Sequence, residues 1–95
     1  MNSQLVSRNI TVNGHRTSIR LEKASWAGLD EICTLEDLSV HELCSLIDVR
    51  RTGSSRTSSV RSFIVTYFRM AAAENGFNKS GQTKAVFSQL EAVGN

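Results

Sequence analysis

Strict alternation of apolar and polar positions is clearest in one stretch of the chain, Gly14-His15-Arg16-Thr17-Ser18-Ile19-Arg20-Leu21-Glu22. It sets Thr17, Ile19 and Leu21 on one face and Arg16, Ser18 and Arg20 on the other. This predicts a short β-strand with one side for a core and one basic, polar side. A lone strand leaves backbone N–H and C=O groups unpaired along both edges, so it needs a partner. Two partners are open: Arg8-Asn9-Ile10-Thr11-Val12 across Asn13-Gly14, a dipeptide that favours hairpin turns, or the same strand of a second copy, antiparallel across a two-fold axis.

The rest of the pattern is helical. Trp26, Leu29, Ile32 and Cys33 recur at helical spacing from about Lys23 to Glu36, with Asp30 and Glu31 turned outward and Trp26 as the core anchor. Asp37-Leu38-Ser39 breaks that pattern, and Ser39 with Glu42 three residues later reads as a capping box that starts a second helix at Val40. Val40, Leu43, Cys44 and Ile47 line one side of it, with Leu46 at the margin. A mobile basic loop is expected over Arg50-Arg51-Thr52-Gly53-Ser54-Ser55-Arg56-Thr57-Ser58. From about Ser58, Val60, Phe63, Ile64, Tyr67, Phe68 and Ala71 give the strongest helical stripe, which should stop near Asn75-Gly76. Val86, Phe87, Leu90 and Val93 then indicate a short, marginal final helix that could pack on the domain, bind a partner or fray.

Charge adds a further constraint. The net charge of +2 conceals three blocks: residues 1–20 hold three arginines and no acid, residues 22–48 hold seven acids against Lys23 alone, and residues 50–69 hold five arginines and no acid. Such segregation points to a basic surface facing a polyanion and an acidic one turned away. A basic arm bearing Arg8 could reach a phosphate or the minor groove. Cys33 and Cys44 lack further ligands at metal-binding spacing and read as reduced core residues. No metal or other cofactor is expected. The chain has no apolar run of membrane-spanning length and its first residues lack a secretory pattern, so the expected address is the cytoplasm. An enzyme is not expected either: His15 and His41 have no paired carboxylate or nucleophile in sequence, and no phosphate loop is present.

The basic strand, then Trp26, Leu38-Ser39 with its capped helix start, Leu46-Ile47-Asp48, and Ser58-Ser59-Val60-Arg61-Ser62-Phe63-Ile64 resemble the ribbon-helix-helix family of dimeric DNA-binding repressors, in particular small bacterial members with a third helix after a glycine-containing loop. The resemblance spans about residues 8–72. It implies a mainly α fold with one short β-strand, that strand pairing antiparallel across a homodimer, plus one or more additional C-terminal helices. The ribbon so formed would enter the major groove of double-stranded DNA. Carried onto this chain, the base readers are Arg16, Ser18 and Arg20, since arginine can bond guanine O6 and N7 together and serine serves several bases. Ser39, Val40 and His41 would clamp a phosphate through backbone N–H groups, and Arg50, Arg51 and Arg56 of the basic loop would add backbone contacts. The resemblance also favours pairing between copies over the hairpin, which leaves residues 1–13 as an N-terminal arm, 14–75 as the domain and 76–95 as a C-terminal tail. The added third helix could strengthen the dimer, alter oligomerisation or partly cover the ribbon.

A sequence-specific transcriptional repressor is therefore the leading expectation. The alternatives are an antitoxin whose tail folds on a toxin, and a dimeric protein-interaction module that uses its basic face on an acidic protein.

Overall fold

The computed structural model describes residues 4–73, 85–88 and 90. Its elements in chain order are β1 (Leu5–Val12), β2 (His15–Glu22), α1 (Lys23–Glu36), α2 (Val40–Val49) and α3 (Arg56–Ala73).

Within the chain, β2 does find a partner: β1 and β2 form a two-stranded antiparallel sheet in which Val12 faces His15 and Leu5 faces Glu22. The turn between them is Asn13-Gly14, both at positive φ (50° and 87°), the geometry of the two-residue turns whose twist matches paired strands. Residues 5–12 are thus a strand and not an arm. The reason is burial: Ile10 and Val12 sit beside Ile19 and Leu21 in the core, each no more than 2 % exposed. Free in solution, that apolar pair would forfeit the gain from leaving water.

The helices start and stop where their side chains dictate. α1 ends at Asp37, whose left-handed conformation (φ 58°) turns its own N–H and that of Leu38 back to the carbonyls of Thr34 and Cys33. α2 opens with the expected capping box: Ser39 Oγ accepts the Glu42 N–H at 3.0 Å while Glu42 Oε1 accepts the Ser39 N–H at 2.8 Å. α3 begins at Arg56, earlier than its apolar stripe, because Ser55 Oγ accepts the Ser58 N–H and the Ser55 carbonyl accepts that of Ser59. The stop expected near Asn75-Gly76 lies outside the described residues.

One core joins these elements. The inner face of the hairpin, Trp26, Leu29, Ile32 and Cys33 of α1, Leu43, Cys44 and Ile47 of α2, and Val60, Phe63, Ile64 and Tyr67 of α3 form a single buried cluster. Residues 85–88 are helical, and Val86 and Phe87 belong to the same cluster, with the Phe87 ring 5.3 Å from that of Phe63. Among the described residues no helix is long and apolar enough to cross a membrane.

Candidate nucleic-acid interface

Pairing in the hairpin places opposite residues on the same face. Ser7, Asn9 and Thr11 of β1 therefore stand beside Arg20, Ser18 and Arg16 of β2, and all six are exposed on the side of the sheet away from the core. The alternation read from β2 is realised, since Ile19 and Leu21 are buried and Arg16, Ser18 and Arg20 are not. Ser18 Oγ is held 2.8 Å from Ser7 Oγ. Neither Arg16 nor Arg20 has a partner among the described residues, which leaves ten N–H donors in water. The third helix does not cover this face, because α3 packs on the core side and all three side chains remain open.

The two sheet edges differ. Along β1, the Thr11 N–H donates to His41 Nδ1 at 3.0 Å and the Asn13 N–H to Ser45 Oγ at 2.9 Å, so α2 occupies the turn end of that edge. Along β2, no described strand or side chain takes the outer backbone groups.

The other arginines, Arg69 of α3 excepted, are engaged within the fold. Arg8 grips Asp30 through two bonds of 3.0 Å and lies 4.4 Å over the Trp26 ring, so it serves the packing of β1 on α1 and not a free arm. Trp26 Nε1–H donates to the Val6 carbonyl at 2.8 Å, a second tie between the same elements. Arg61 grips Glu22 through two bonds of 3.0 Å. Asp48 accepts from Arg56 at 2.8 Å and Arg51 at 2.9 Å, and its carboxyl is held below the usual range by these bonds, that of Arg56 foremost. The segment after α2 is in consequence tied down, with Arg51 also donating to the Ser54 carbonyl, rather than loose. Arg50 lies 4.3 Å over the Phe87 ring. A groove of about 670 Å³ runs between this segment, α3 and Phe87, with Arg50 and Arg51 on its wall and none of the β2 arginines.

At the start of α2 fewer groups are open to an anion than the expected set of Ser39, Val40 and His41. The Ser39 N–H is already taken by Glu42 and the His41 ring is turned to Thr11, which leaves the backbone amides of Val40 and His41 in the first turn, where no helical carbonyl reaches. Nδ1 of His41 accepts a bond, so the neutral ring carries its proton on Nε2. Both thiols are buried, and burial pushes Cys33 up to about 11 and Cys44 up to about 12. Among the described residues no group of three metal-ligating side chains occurs.

Sequence reasoning missed Ser7, Asn9 and Thr11 as members of the outer face. Their signal was the alternation in Arg8-Asn9-Ile10-Thr11-Val12 leading into Asn13-Gly14.

Comparison with known proteins bears on the whole of this arrangement. A family model described as the ribbon-helix-helix domain matches residues 5–68. Among solved structures, an uncharacterized protein from Bordetella pertussis Tohama I is similar, with 28% identity, a TM-score of 0.62 and 76% of this chain covered. This chain spans 61% of the length of that protein. No curated protein matches.

Proposed function

The chain belongs to the ribbon-helix-helix family, a membership that points to a DNA-binding regulator or antitoxin type, and from it we propose a homodimeric, sequence-specific transcriptional repressor acting in the cytoplasm without a cofactor. The observation that carries this reading is the outer face of β2: Arg16 and Arg20 project from one strand face with no partner among the described residues, whereas Arg8, Arg51, Arg56 and Arg61 are paired with carboxylates and Arg69, likewise unpaired, lies apart from the sheet on α3. Cations left unpaired on a rigid strand suit a polyanion with readable edges.

The open edge of β2 supports a dimer in which β2 pairs antiparallel with its copy, bringing four arginines and two serines together at the centre of one sheet. These side chains would meet base edges in the major groove. The Val40 and His41 amides at the start of α2 would hold a phosphate and set the register. Against the antitoxin alternative, Val86 and Phe87 of the tail are already buried in the protein's own core. Arg51 and Arg56, both tied to Asp48, are secondary candidates for backbone contact.

Selection of bound sequences from a random duplex pool, combined with the solution mass of the free protein, tests this reading. The expected result is a two-fold symmetric site bound by a dimer. A monomer, or a pool with no enriched sequence, would overturn it and favour a protein-interaction module.

A further inference from the structure

We propose that Asn9 and Thr11 of β1 hold the DNA backbone on either side of the arginines, through neutral hydrogen bonds that add affinity without reading sequence. The inference rests on the DNA-binding reading above and extends it to a strand that the reading does not use.

Topology fixes where β1 must lie. Its outer edge is taken up at the turn end, where His41 and Ser45 accept the Thr11 and Asn13 N–H groups, whereas the β2 edge is open; a second copy that joins at β2 makes β1 the outermost strand on each side of the resulting four-stranded sheet. Strands lie about 4.8 Å apart, which sets each β1 roughly 7 Å from the two-fold axis. The major groove is about 12 Å wide, a half-width of roughly 6 Å. The two central strands therefore fit between the groove walls, and the outer two lie over the walls, where the phosphates are.

The neighbours of β1 agree with that position. The Thr11 N–H bonds the His41 ring, so Thr11 adjoins the first turn of α2, whose Val40 and His41 amides have no partner among the described residues. Thr11 and that turn make one continuous strip of neutral donors. Asn9 is two residues away on the same face, and neither its amide nor the Thr11 hydroxyl has a partner among the described residues. Ser7 is occupied with Ser18 and holds that side chain in place. Hydroxyl and amide groups donate to phosphate oxygens as arginine does, but release no counterion.

The test is a salt titration of binding by Asn9→Ala and Thr11→Val, each measured on a selected duplex and on a shuffled one, after melting curves show that the variants fold. Thr11→Val keeps the backbone bond to His41. Each change should weaken both duplexes by roughly three- to tenfold, with base preference and the slope of log affinity against log salt unchanged. Unchanged affinity, or a loss confined to the selected duplex with altered base preference, would overturn the proposal while leaving the DNA-binding reading intact. A wild-type protein that binds neither duplex would instead remove the reading on which it rests.

Discussion

Arg61 of α3 holds Glu22, the last residue of β2, in a two-pronged ion pair, with Nε to Oε1 and Nη2 to Oε2 both at 3.0 Å. The added third helix is thereby fastened to the end of the strand that carries Arg16 and Arg20. The Arg61 bonds foremost, with help from the Glu22 N–H and Ser25, hold the Glu22 carboxyl at about 2, well below the usual carboxylate range. A depressed value in the fold means that the pair contributes stability above the unfolded value near 4.3 and loses it as pH falls toward 2. The difference in melting temperature between wild type and Glu22→Gln should be largest above pH 5 and shrink toward zero at pH 2. Both side chains are partly exposed, so added salt should narrow the difference as well.

The hairpin turn gives a second prediction. Gly14 has φ +87°, and a Cβ placed there would meet nothing within 4 Å. Gly14→Ala should therefore cost only the backbone penalty of a side chain at positive φ, roughly 1 kcal/mol. Urea denaturation should show a lower midpoint with an unchanged slope. A loss of several kcal/mol would mean that the turn makes contacts other than those described.

Removal of the α2 cap should act on stability first. Ser39→Ala removes the acceptor for the Glu42 N–H and should cost about 1 kcal/mol in the same assay. The variant should still select the same DNA sequence, because the cap sets helix position and reads no base.

The helices were legible from spacing: α1 and α2 begin and end where the pattern and the Ser39-Glu42 box place them, and their apolar stripes, the half-buried Val40 excepted, are the buried residues. The partner of β2 was not legible. Asn13-Gly14 announced a hairpin, but whether Ile10 and Val12 enter the core depends on helices far along the chain. The charge blocks misled for a related reason. Acidic and basic stretches that are separate in sequence fold onto one another: Arg61 reaches Glu22 across 39 positions and Arg8 reaches Asp30 across 22. Of the two basic blocks, Arg16, Arg20 and Arg69 escape this pairing with no partner among the described residues, and no local pattern separates them from Arg61.

The cysteines offer a probe of the core. Thiolate, not thiol, attacks a labelling reagent, and burial raises Cys33 to about 11 and Cys44 to about 12. At pH 8 both should be nearly inert toward a thiol reagent in the folded protein and react at ordinary rates in denaturant. Cys44, 1 % exposed against 9 % for Cys33, should be the slower of the two under native conditions. Fast native labelling of Cys44 would show that α2 separates from the core more readily than its packing implies.

The contrast between free and paired arginines makes a prediction about salt. A cation that neutralises a phosphate releases counterions, and each such contact contributes about 0.9 to the slope of log affinity against log salt. Arg16 and Arg20 have no carboxylate to give up among the described residues, so their approach to DNA costs no internal ion pair. Arg51 and Arg56 would first have to leave Asp48. If the β2 arginines read bases, Arg16→Ala and Arg20→Ala should each cost about 1–3 kcal/mol on the selected site and relax preference at one base pair per half-site, with little change in melting temperature. Arg56→Ala should do the reverse, lowering the melting temperature because Asp48 loses its nearest partner, at 2.8 Å, while base preference stays the same. Gel-shift titrations of the three variants across a salt series, paired with melting curves, separate these outcomes. Equal losses of base preference in all three would show that the ion pairs within the fold do not decide which arginines read DNA.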